Sequence, residues 1–256
     1  MSGKVYLVGA GPGAPDLLTL RAARLLGEAD VILHDALVRP ETLALAARAE
    51  KVAVGKRCGR QSSAQRFINK RLVDAARRHR IVVRLKGGDP MLFGRAQEEI
   101  AALEKAGIEY EVVPGVTAAL AAAADLGVSL TQRGAARSVA FVTPRVGEGE
   151  APSAWSRAVA TADTAVIYMG AGDAARVRDA LLEAGVASDM PVALVENASL
   201  ADSRASRGTL AGLEALSATR GSGPAVILLG RVLATAAVSQ GDVQGLLLQA
   251  VAAGTR

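Results

Sequence analysis

Short apolar runs alternate with longer amphipathic segments along the first half of the chain. The strand-like runs begin at Val5, Asp30, Lys51, Ile81 and Tyr110. Between them, apolar residues recur at helical spacing, as in DLLTLRAARLL and SSAQRFINKRLVDAARRH. Repeated strand-helix alternation predicts a mostly parallel sheet with helices on both faces, and therefore an α/β fold.

The polar stretch SLTQRGAARS, residues 129–138, interrupts this alternation. Strand-like runs resume at VAFVTP and recur around Thr164, Pro191, Arg204 and Pro224. Two of them follow each other without an intervening helix, which predicts a mixed second sheet. We therefore expect two α/β domains and a helical or frayed tail, over residues 1–134, 135–240 and 241–256.

Composition narrows the class of protein. The chain has 256 residues, enough for two compact domains, and only 3% of them are aromatic, so a core of small aliphatic side chains is expected. The single cysteine, Cys58, excludes an internal disulfide and favours a reducing compartment, the cytoplasm.

The apolar runs do not predict a membrane segment. The first apolar run is too short for a signal peptide, and Asp125 interrupts the Ala-rich segment, which is therefore too short to span a bilayer. A soluble protein without a membrane partner is expected.

The net charge of +5 permits an acidic partner. Basic residues crowd residues 56–60, 66–84 and 133–145, and a solvated surface is their usual meaning. Nucleic acid is disfavoured because aromatic side chains are scarce and no helix-turn-helix or zinc pattern occurs. A small polyanionic substrate, or a non-enzymatic polyanion-binding module, fits the charge equally well.

The stretch GAGPGA after the first strand satisfies a dinucleotide-binding fingerprint at Gly9, Gly11 and Ala14. Asp35 ends the second strand, where an acid that binds ribose is found in such folds. By this pattern alone, an NAD-dependent dehydrogenase is an alternative.

Two prolines in the same loop argue against a bound diphosphate. A pyrophosphate is held by backbone N–H groups, which Pro12 and Pro15 lack. The loop is therefore predicted to shape a pocket for a ligand without phosphate, although glycine and proline also occur in plain turns. KGGDP at residues 86–90 and VVPGVTAAL after Tyr110 add two further loops at carboxyl ends of strands. In open α/β sheets ligands bind at that edge.

Taken together, these motifs resemble a known family. GAGPGAPDLLTLRA, HDALV, VGKRCG, RLKGGDPMLFGRAQEE, VVPGVTAAL, LTQRG, VIYMG and VENAS are similar to the tetrapyrrole (class III) methyltransferases of the uroporphyrinogen-III C-methyltransferase type. The resemblance runs from Val5 to about Arg231. It implies a two-domain tetrapyrrole methylase fold with the active site in the interdomain cleft, a homodimer, and S-adenosyl-L-methionine as methyl donor.

The resemblance also implies a reaction. Two methyl groups are added to C2 and C7 of uroporphyrinogen III, giving precorrin-2 and S-adenosyl-L-homocysteine for sirohaem, cobalamin or haem d1 synthesis. It places in the donor pocket Pro12, Gly87, Gly88, Asp89, Leu92, Thr117, Ala118, Met169, Ala198 and Ala225. Chemically, Asp89 suits an ammonium or a ribose hydroxyl. A lone Met such as Met169 is more usually a core filler.

The resemblance assigns the catalytic roles. Asp35 would accept a proton and Lys56 would donate one, with Arg95 and Glu98 near the substrate. A turn hydrogen bond is the alternative for Asp35, and an intrahelical ion pair is the alternative for Arg95 and Glu98.

The implied substrate carries carboxylates, which arginine binds in pairs. Candidates to bind them, or simply to be solvated, are Arg39, Arg57, Arg60 and Arg133. Neither His34 nor His79 belongs to a metal-ligand cluster, so no metal is predicted.

The chain departs from the family pattern at several positions. It has GAPDLLTL for GDPDLLTL, FGRAQEE for FGRGGEE, SLTQRG for PLTHRG, and His34 for a tyrosine. Ala96 and Gln97 add bulk beside Arg95, and Gln132 replaces a histidine. A later precorrin is therefore an alternative methyl acceptor.

Overall fold

Ten strands and eight α-helices make up the fold in the computed structural model, which describes residues 3–54, 61–147, 149, 151 and 153–234, without the side chains of 61–64. The strands are β1 Lys4–Gly9, β2 Val31–His34, β3 Glu50–Ala53, β4 Ile81–Lys86, β5 Tyr110–Val113, β6 Val139–Val142, β7 Thr164–Tyr168, β8 Pro191–Glu196, β9 Arg204–Thr209 and β10 Ala225–Gly230. The helices are α1 Leu20–Glu28, α2 Pro40–Ala44, α3 Gln61–Ala76, α4 Ala96–Lys105, α5 Ala118–Leu126, α6 Trp155–Thr161, α7 Ala174–Glu183 and α8 Leu213–Ala218.

The first sheet has the strand order β3-β2-β4-β1-β5, and all neighbouring strands are parallel. In the central register, Val5 lies between Val82 and Tyr110. The parallel sheet expected from strand-helix alternation is confirmed. The order differs from the 3-2-1-4 order of a dinucleotide-binding sheet, because β4 lies between β1 and β2.

Helices cover both faces of this sheet because each presents an apolar stripe. On one face, α1 buries Ala22, Leu25 and Leu26 against Ile32 and neighbouring strand residues. On the other face, α3 and α4 pack against the side chains of alternate strand residues. The result is a three-layer arrangement in which the carboxyl ends of the strands remain accessible.

The second sheet has the order β6-β7-β10-β8-β9 and is mixed, as the sequence predicts. Only β6 and β7 are parallel, and the other neighbours are antiparallel. β8 and β9 follow each other without a helix and pair directly, so that Val195 lies opposite Ala205. Helices α6, α7 and α8 cover one face of this sheet.

Helix α5 covers the opposite face of the second sheet, although it follows a strand of the first. Its buried Ala119, Ala122 and Ala123 belong to one core cluster with Val166 and Val226. Their small side chains allow close packing of helix on sheet. The predicted domain boundary, between residues 134 and 135, falls between the two sheets, but α5 joins them.

The predicted tail, residues 241–256, lies outside the described residues. Within the part of the chain that is described, no helix is both long and apolar enough to cross a membrane.

Candidate active site

Three loops at the carboxyl ends of the first sheet meet backbone to backbone; we call residues 9–15, 86–95 and 114–117 the loop junction. Gly11 and Gly88 exchange backbone hydrogen bonds, with N···O distances of 3.2 and 2.7 Å. A Cβ on Gly9 would lie 2.6 Å from Cα of Gly115, and one on Gly115 would overlap the carbonyl oxygen of Gly88. Glycine is therefore required by close approach, and the expectation that three glycine loops share one edge is confirmed.

Asp89 links two of these loops. Its Oδ1 accepts from the backbone N–H of Met91 at 2.8 Å, and its Oδ2 accepts from that of Gly115 at 2.9 Å. Each oxygen retains a second lone pair for a ligand. Asp89 therefore orders the junction, and its direct contact with a ligand stays a prediction.

The first loop lacks the geometry of a phosphate site. A 3-10 turn, Pro15–Leu17, follows the glycines, and α1 begins only at Leu20. The side chain of Thr19 already caps that helix by accepting from the N–H of Ala22 at 3.2 Å. Since the glycine turn does not lead into a helix N-terminus and the strand order differs, the dehydrogenase interpretation is wrong.

Tyr168, at the end of β7, joins the second sheet to the loop junction. Its hydroxyl lies 2.7 Å from Thr117 Oγ1 and accepts from the N–H of Ala119 at 3.1 Å. Its ring lies 5.1 Å from that of Phe93, centroid to centroid. Ala14 N–H also donates to Ser199 Oγ, on the segment after β8, at 3.1 Å. Both sheets therefore contribute to one site.

Left-handed backbone at non-glycine residues occurs in the loop junction and after two strands of the second sheet. The non-glycine residues with positive φ in the described part of the chain are Phe93, Arg95, Met169, Asn197 and Ser199. Phe93 and Arg95 lie in the junction, and the other three follow β7 or β8; such strain is typical of functional sites. Met169 is 46% exposed, so its interpretation as a core filler is wrong.

The other donor residues predicted in the second half of the chain, Ala198 and Ala225, lie at strand ends that adjoin the loop junction. Ala198 is buried and precedes Ser199, while Ala225 lies opposite Glu196 in the register of β8 and β10. Leu92 is half-buried in the first half, and its N–H donates to the carbonyl of Asp89 at 3.4 Å. The ten predicted donor residues thus lie in the loop junction, at the start of α5, or at the adjoining ends of β7, β8 and β10.

A buried ionic cluster lies beneath the junction, and sequence reasoning missed it. Arg84 Nη2 lies 2.5 Å from Asp35 Oδ1, and Arg84 Nε lies 2.8 Å from Glu99 Oε1. Lys86 Nζ lies 3.0 Å from Glu99 Oε2. The expectation that residues 66–84 form a solvated basic surface is wrong for Arg84, whose side chain is 2% exposed.

Burial and neighbouring charges shift the pKa values of Arg84 and Lys86 to opposite sides of their ordinary values. Burial lowers the pKa of Arg84, but the charges of Asp35 and Glu99 outweigh it, and the pKa lies above its ordinary value. Burial, followed by the charge of Arg84, lowers the pKa of Lys86 against the opposing effect of Glu99. The signal that could have revealed the cluster is the alternation of IVVRLK, which places Arg84 and Lys86 on the face of the sheet that α4 covers.

The predicted catalytic residues are only partly brought together. Asp35 is linked through Arg84 and Glu99 to Lys86, which belongs to the loop junction. Arg95 and Glu98, in contrast, form an ion pair on the exposed start of α4, with Nε–Oε1 at 2.6 Å. The ion-pair alternative is therefore observed, and a substrate role for Arg95 and Glu98 stays a prediction. Lys56 lies outside the described residues.

The predicted substrate arginines lie on exposed turns or outside the described residues. Arg39 lies 3.5 Å from Glu41, and Arg133 lies in a turn closed by hydrogen bonds between Gln132 and Ala136. No hydrogen bond or ion pair joins Arg39 or Arg133 to the loop junction within the described ranges. Arg57 and Arg60 fall outside them.

His34 Nδ1 lies 3.1 Å from the carbonyl oxygen of Asp35. Among the residues that the structure describes, no group of three or more His, Cys, Asp or Glu side chains could hold a metal ion.

The chain is similar in sequence to enzymes of tetrapyrrole synthesis. A family model described as Tetrapyrrole (Corrin/Porphyrin) Methylases matches residues 4–214. A uroporphyrinogen-III C-methyltransferase of Pseudomonas aeruginosa is 45% identical over 238 residues, covering 91% of this chain and 95% of that protein. A siroheme synthase of Chromobacterium violaceum is 49% identical over 234 residues, covering 91% of this chain but 50% of that protein. The chain therefore spans about half the length of the siroheme synthases that it matches.

Solved structures of methyltransferases are also similar to this chain. The native uroporphyrin III C-methyl transferase of Thermus thermophilus superposes with a TM-score of 0.80 at 42% identity, covering 93% of this chain and 96% of that one. The same enzyme complexed with S-adenyl homocysteine gives 0.78 at 44% identity, covering 91% and 99%. A cobalt precorrin-4 methyltransferase gives 0.77 at 31% identity, covering 90% and 95%.

Proposed function

Because this chain belongs to the tetrapyrrole (corrin/porphyrin) methylases, we propose that it is an S-adenosyl-L-methionine-dependent uroporphyrinogen-III C-methyltransferase. It adds methyl groups at C2 and C7 of uroporphyrinogen III, giving precorrin-2 and S-adenosyl-L-homocysteine. The observation that carries this proposal is the 45% identity to the Pseudomonas aeruginosa uroporphyrinogen-III enzyme over 95% of its length. The product would enter sirohaem, cobalamin or haem d1 synthesis.

The loop junction fits a donor that carries no phosphate. Glycines bring backbone groups close together, and the first loop ends in prolines instead of a helix N-terminus. The residues proposed to hold the donor are Pro12, Gly87, Gly88, Asp89, Leu92, Thr117, Ala118, Met169, Ala198 and Ala225. When bound, the donor supplies a methyl group on a positively charged sulfur. Most of the rate acceleration would come from holding the two reactants in line.

The edge of the junction suits an apolar macrocycle that carries carboxylates. Leu37, Met91 and Phe93 are exposed beside the glycine loops, at 64%, 56% and 39%. We propose that these side chains contact the tetrapyrrole rings, because exposed apolar groups of this size mark binding surfaces. The carboxylates of the tetrapyrrole would be bound by Arg39, Arg57, Arg60 and Arg133, with Arg95 and Glu98 nearby.

Methylation leaves a positive charge on the pyrrole, and loss of a ring proton removes that charge. We propose that Asp35 takes this proton, because its side chain is 29% exposed at the carboxyl end of the first sheet. Lys56 is proposed as a proton donor by the family resemblance alone.

A later precorrin is the second candidate acceptor. The likeness to a cobalt precorrin-4 methyltransferase at 31% identity favours it, as do the departures at Ala96, Gln97 and Gln132. It is the weaker candidate because the uroporphyrinogen-III enzymes are 41–45% identical.

We also propose a homodimer in the cytoplasm. An open groove of about 510 Å³ lies between α5 and β6, and its lining includes the exposed Leu120 and Phe141. A second copy of the chain would cover it, since exposed apolar surface of this kind marks protein interfaces. Sedimentation of Leu120→Glu tests this: a monomer is expected, and an unchanged dimer would exclude this face.

The proposed location in the cytoplasm rests on the cysteine content. Cys58, the single cysteine, favours the reducing compartment.

An anaerobic incubation with S-adenosyl-L-methionine and uroporphyrinogen III tests the activity. Mass spectrometry should find a product with two added methyl groups. No product, with S-adenosyl-L-homocysteine still binding in calorimetry, would transfer the proposal to a later precorrin. Absence of donor binding as well would overturn it.

Two variants identify the base. Asp35→Asn should abolish most turnover and Arg95→Lys should reduce it less, while both still bind S-adenosyl-L-homocysteine. Full rates in both variants would remove these residues from the chemistry.

A further inference from the structure

The carboxylate of Asp35 is the exposed end of a buried array of charges. Behind it, Arg84 contacts both Asp35 and Glu99, and Lys86 contacts the other oxygen of Glu99. The exposed fraction of the side chains is 29% for Asp35 and 4% or less for the other three. Of these four groups, only Asp35 therefore presents its charge at the surface.

Stability alone is a weak reason for such an array. Each buried ion loses its hydration, and well-packed apolar residues are often as stabilising as a buried ion pair. Two cations and two carboxylates also make the array neutral as a whole. The array instead imposes a defined geometry on its exposed member, Asp35.

Arg84 is fixed from several directions. Its Nη1 donates to the carbonyl of Leu85 at 3.2 Å and to that of Leu33 at 3.4 Å. Glu99 accepts from its Nε, so the guanidinium plane is held by β2, β4 and α4 together. Such a rigid fork leaves Nη2 aimed at one oxygen of Asp35.

The second oxygen of Asp35 accepts no side-chain hydrogen bond from the residues that the structure describes, since Arg84 Nη2 donates to Oδ1 alone. The backbone N–H of Asp35 donates to Leu85, which fixes the main chain as well. A carboxylate held by one oxygen can present the second in a fixed direction.

We propose that Arg84 is a positioning residue for Asp35, and that Glu99 and Lys86 hold Arg84 in place. This inference rests on the proposed function. When the methylated pyrrole loses its ring proton, the free oxygen of Asp35 forms the new O–H bond and the pyrrole keeps the electron pair. The pyrrole becomes neutral, Asp35 becomes a carboxylic acid, and Arg84 keeps its own protons throughout.

A double-mutant cycle tests the coupling. Arg84→Met should lower kcat by roughly tenfold to a hundredfold, since a positioned base contributes about 10²-fold or more. The KM and the affinity for S-adenosyl-L-homocysteine should stay unchanged. In the Asp35→Asn background, Arg84→Met should have almost no further effect on kcat, because the base through which it acts is gone. An equal loss in both backgrounds would overturn the proposal, as would full kcat in Arg84→Met.

A second variant and a structural readout keep the test decisive. Arg84→Lys retains the charge but loses the fork, so it should fold where Arg84→Met fails and still lose kcat. A crystal structure of the Arg84 variant that folds should show the Asp35 carboxylate displaced while the Gly11–Gly88 hydrogen bonds remain. An unmoved carboxylate would overturn the proposal, even if wild-type protein failed to methylate uroporphyrinogen III.

Discussion

The two sheets meet at the loop junction with edges of different character. The first sheet contributes a buried array of four charges and tight backbone contacts between glycines. The second contributes the left-handed residues Met169, Asn197 and Ser199, together with the hydroxyl of Tyr168. Its buried carboxylate, Glu196, accepts from the backbone N–H groups of Gly221 and Gly223 at 2.8 and 2.7 Å.

The difference lies in how buried charge is satisfied. On the first edge the carboxylates face cations, so charged side chains can be held near a reacting group. On the second edge the Glu196 carboxylate accepts from main-chain N–H groups, which fixes the loop that follows α8. In the proposed methyltransferase the first edge would therefore carry proton transfer, and the second would shape the donor pocket.

The largest expected effect is loss of the central carboxylate of the array. Glu99→Gln leaves Arg84 and Lys86 with a neutral partner and should lower the free energy of unfolding by about 3–5 kcal/mol. Its neighbour on the same helix, Glu98→Gln, loses only an exposed ion pair and should cost less than about 1 kcal/mol. Urea unfolding measures both, and equal costs would contradict the buried array.

A smaller effect is expected where glycines touch. Gly115→Ala would drive a Cβ against the carbonyl oxygen of Gly88 and should cost about 1–3 kcal/mol, with loss of donor binding. In contrast, Gly27→Ala lies in α1 with no heavy atom within 4 Å of the added Cβ. It should stabilise the protein by about 0.5–1 kcal/mol. A neutral result for Gly115→Ala would show that the loops are not in close contact.

On the second edge, Tyr168→Phe removes one hydroxyl and keeps the ring. The N–H of Ala119 loses its acceptor, so a cost of about 1–2 kcal/mol is expected. Burial raises the pKa of Tyr168, and the hydroxyl therefore stays protonated at neutral pH. The control is Tyr110→Phe, whose hydroxyl donates to the exposed Glu104; thermal unfolding should show a change within about 0.5 kcal/mol. Equal costs would mean that Tyr168 does not join the two sheets.

The smallest effect belongs to an exposed carboxylate held mainly by main chain. Asp163 accepts from the N–H groups of Arg137 and Ser138 and from the Ser138 hydroxyl, which hold its pKa below the ordinary value. A lowered folded-state pKa adds stability above the unfolded-state value of 3.8, and that stability is lost as the pH falls through the folded-state pKa. The urea midpoint of wild type should therefore fall more between pH 5 and pH 2.5 than that of Asp163→Asn, with Ser138→Ala intermediate. Parallel acid dependence in wild type and Asp163→Asn would contradict this.

The elements of the fold were predictable because their signals are local. Alternation of strand and helix patterns predicts the parallel sheet, and the direct succession of β8 and β9 predicts a mixed one. The three glycine loops were also placed correctly, because a loop that follows a parallel strand always emerges at the carboxyl edge. Pro12 and Pro15 argued against a diphosphate for the same local reason, the absence of an N–H group.

The neighbours of each residue were not predictable from a single chain. In the sequence Arg84 resembles the other basic residues, and only the packing of β2, β4 and α4 around it makes it buried. Helix α5 packs on a sheet whose strands, β6 to β10, all come later in the sequence. Tyr168 contacts Thr117 and Phe93 only because the two sheets meet. Sequence alone determined the elements, the glycine loops and the family, since these depend on residue type and spacing. Tertiary structure decided which charges are buried together, because burial depends on contacts between residues far apart in the chain.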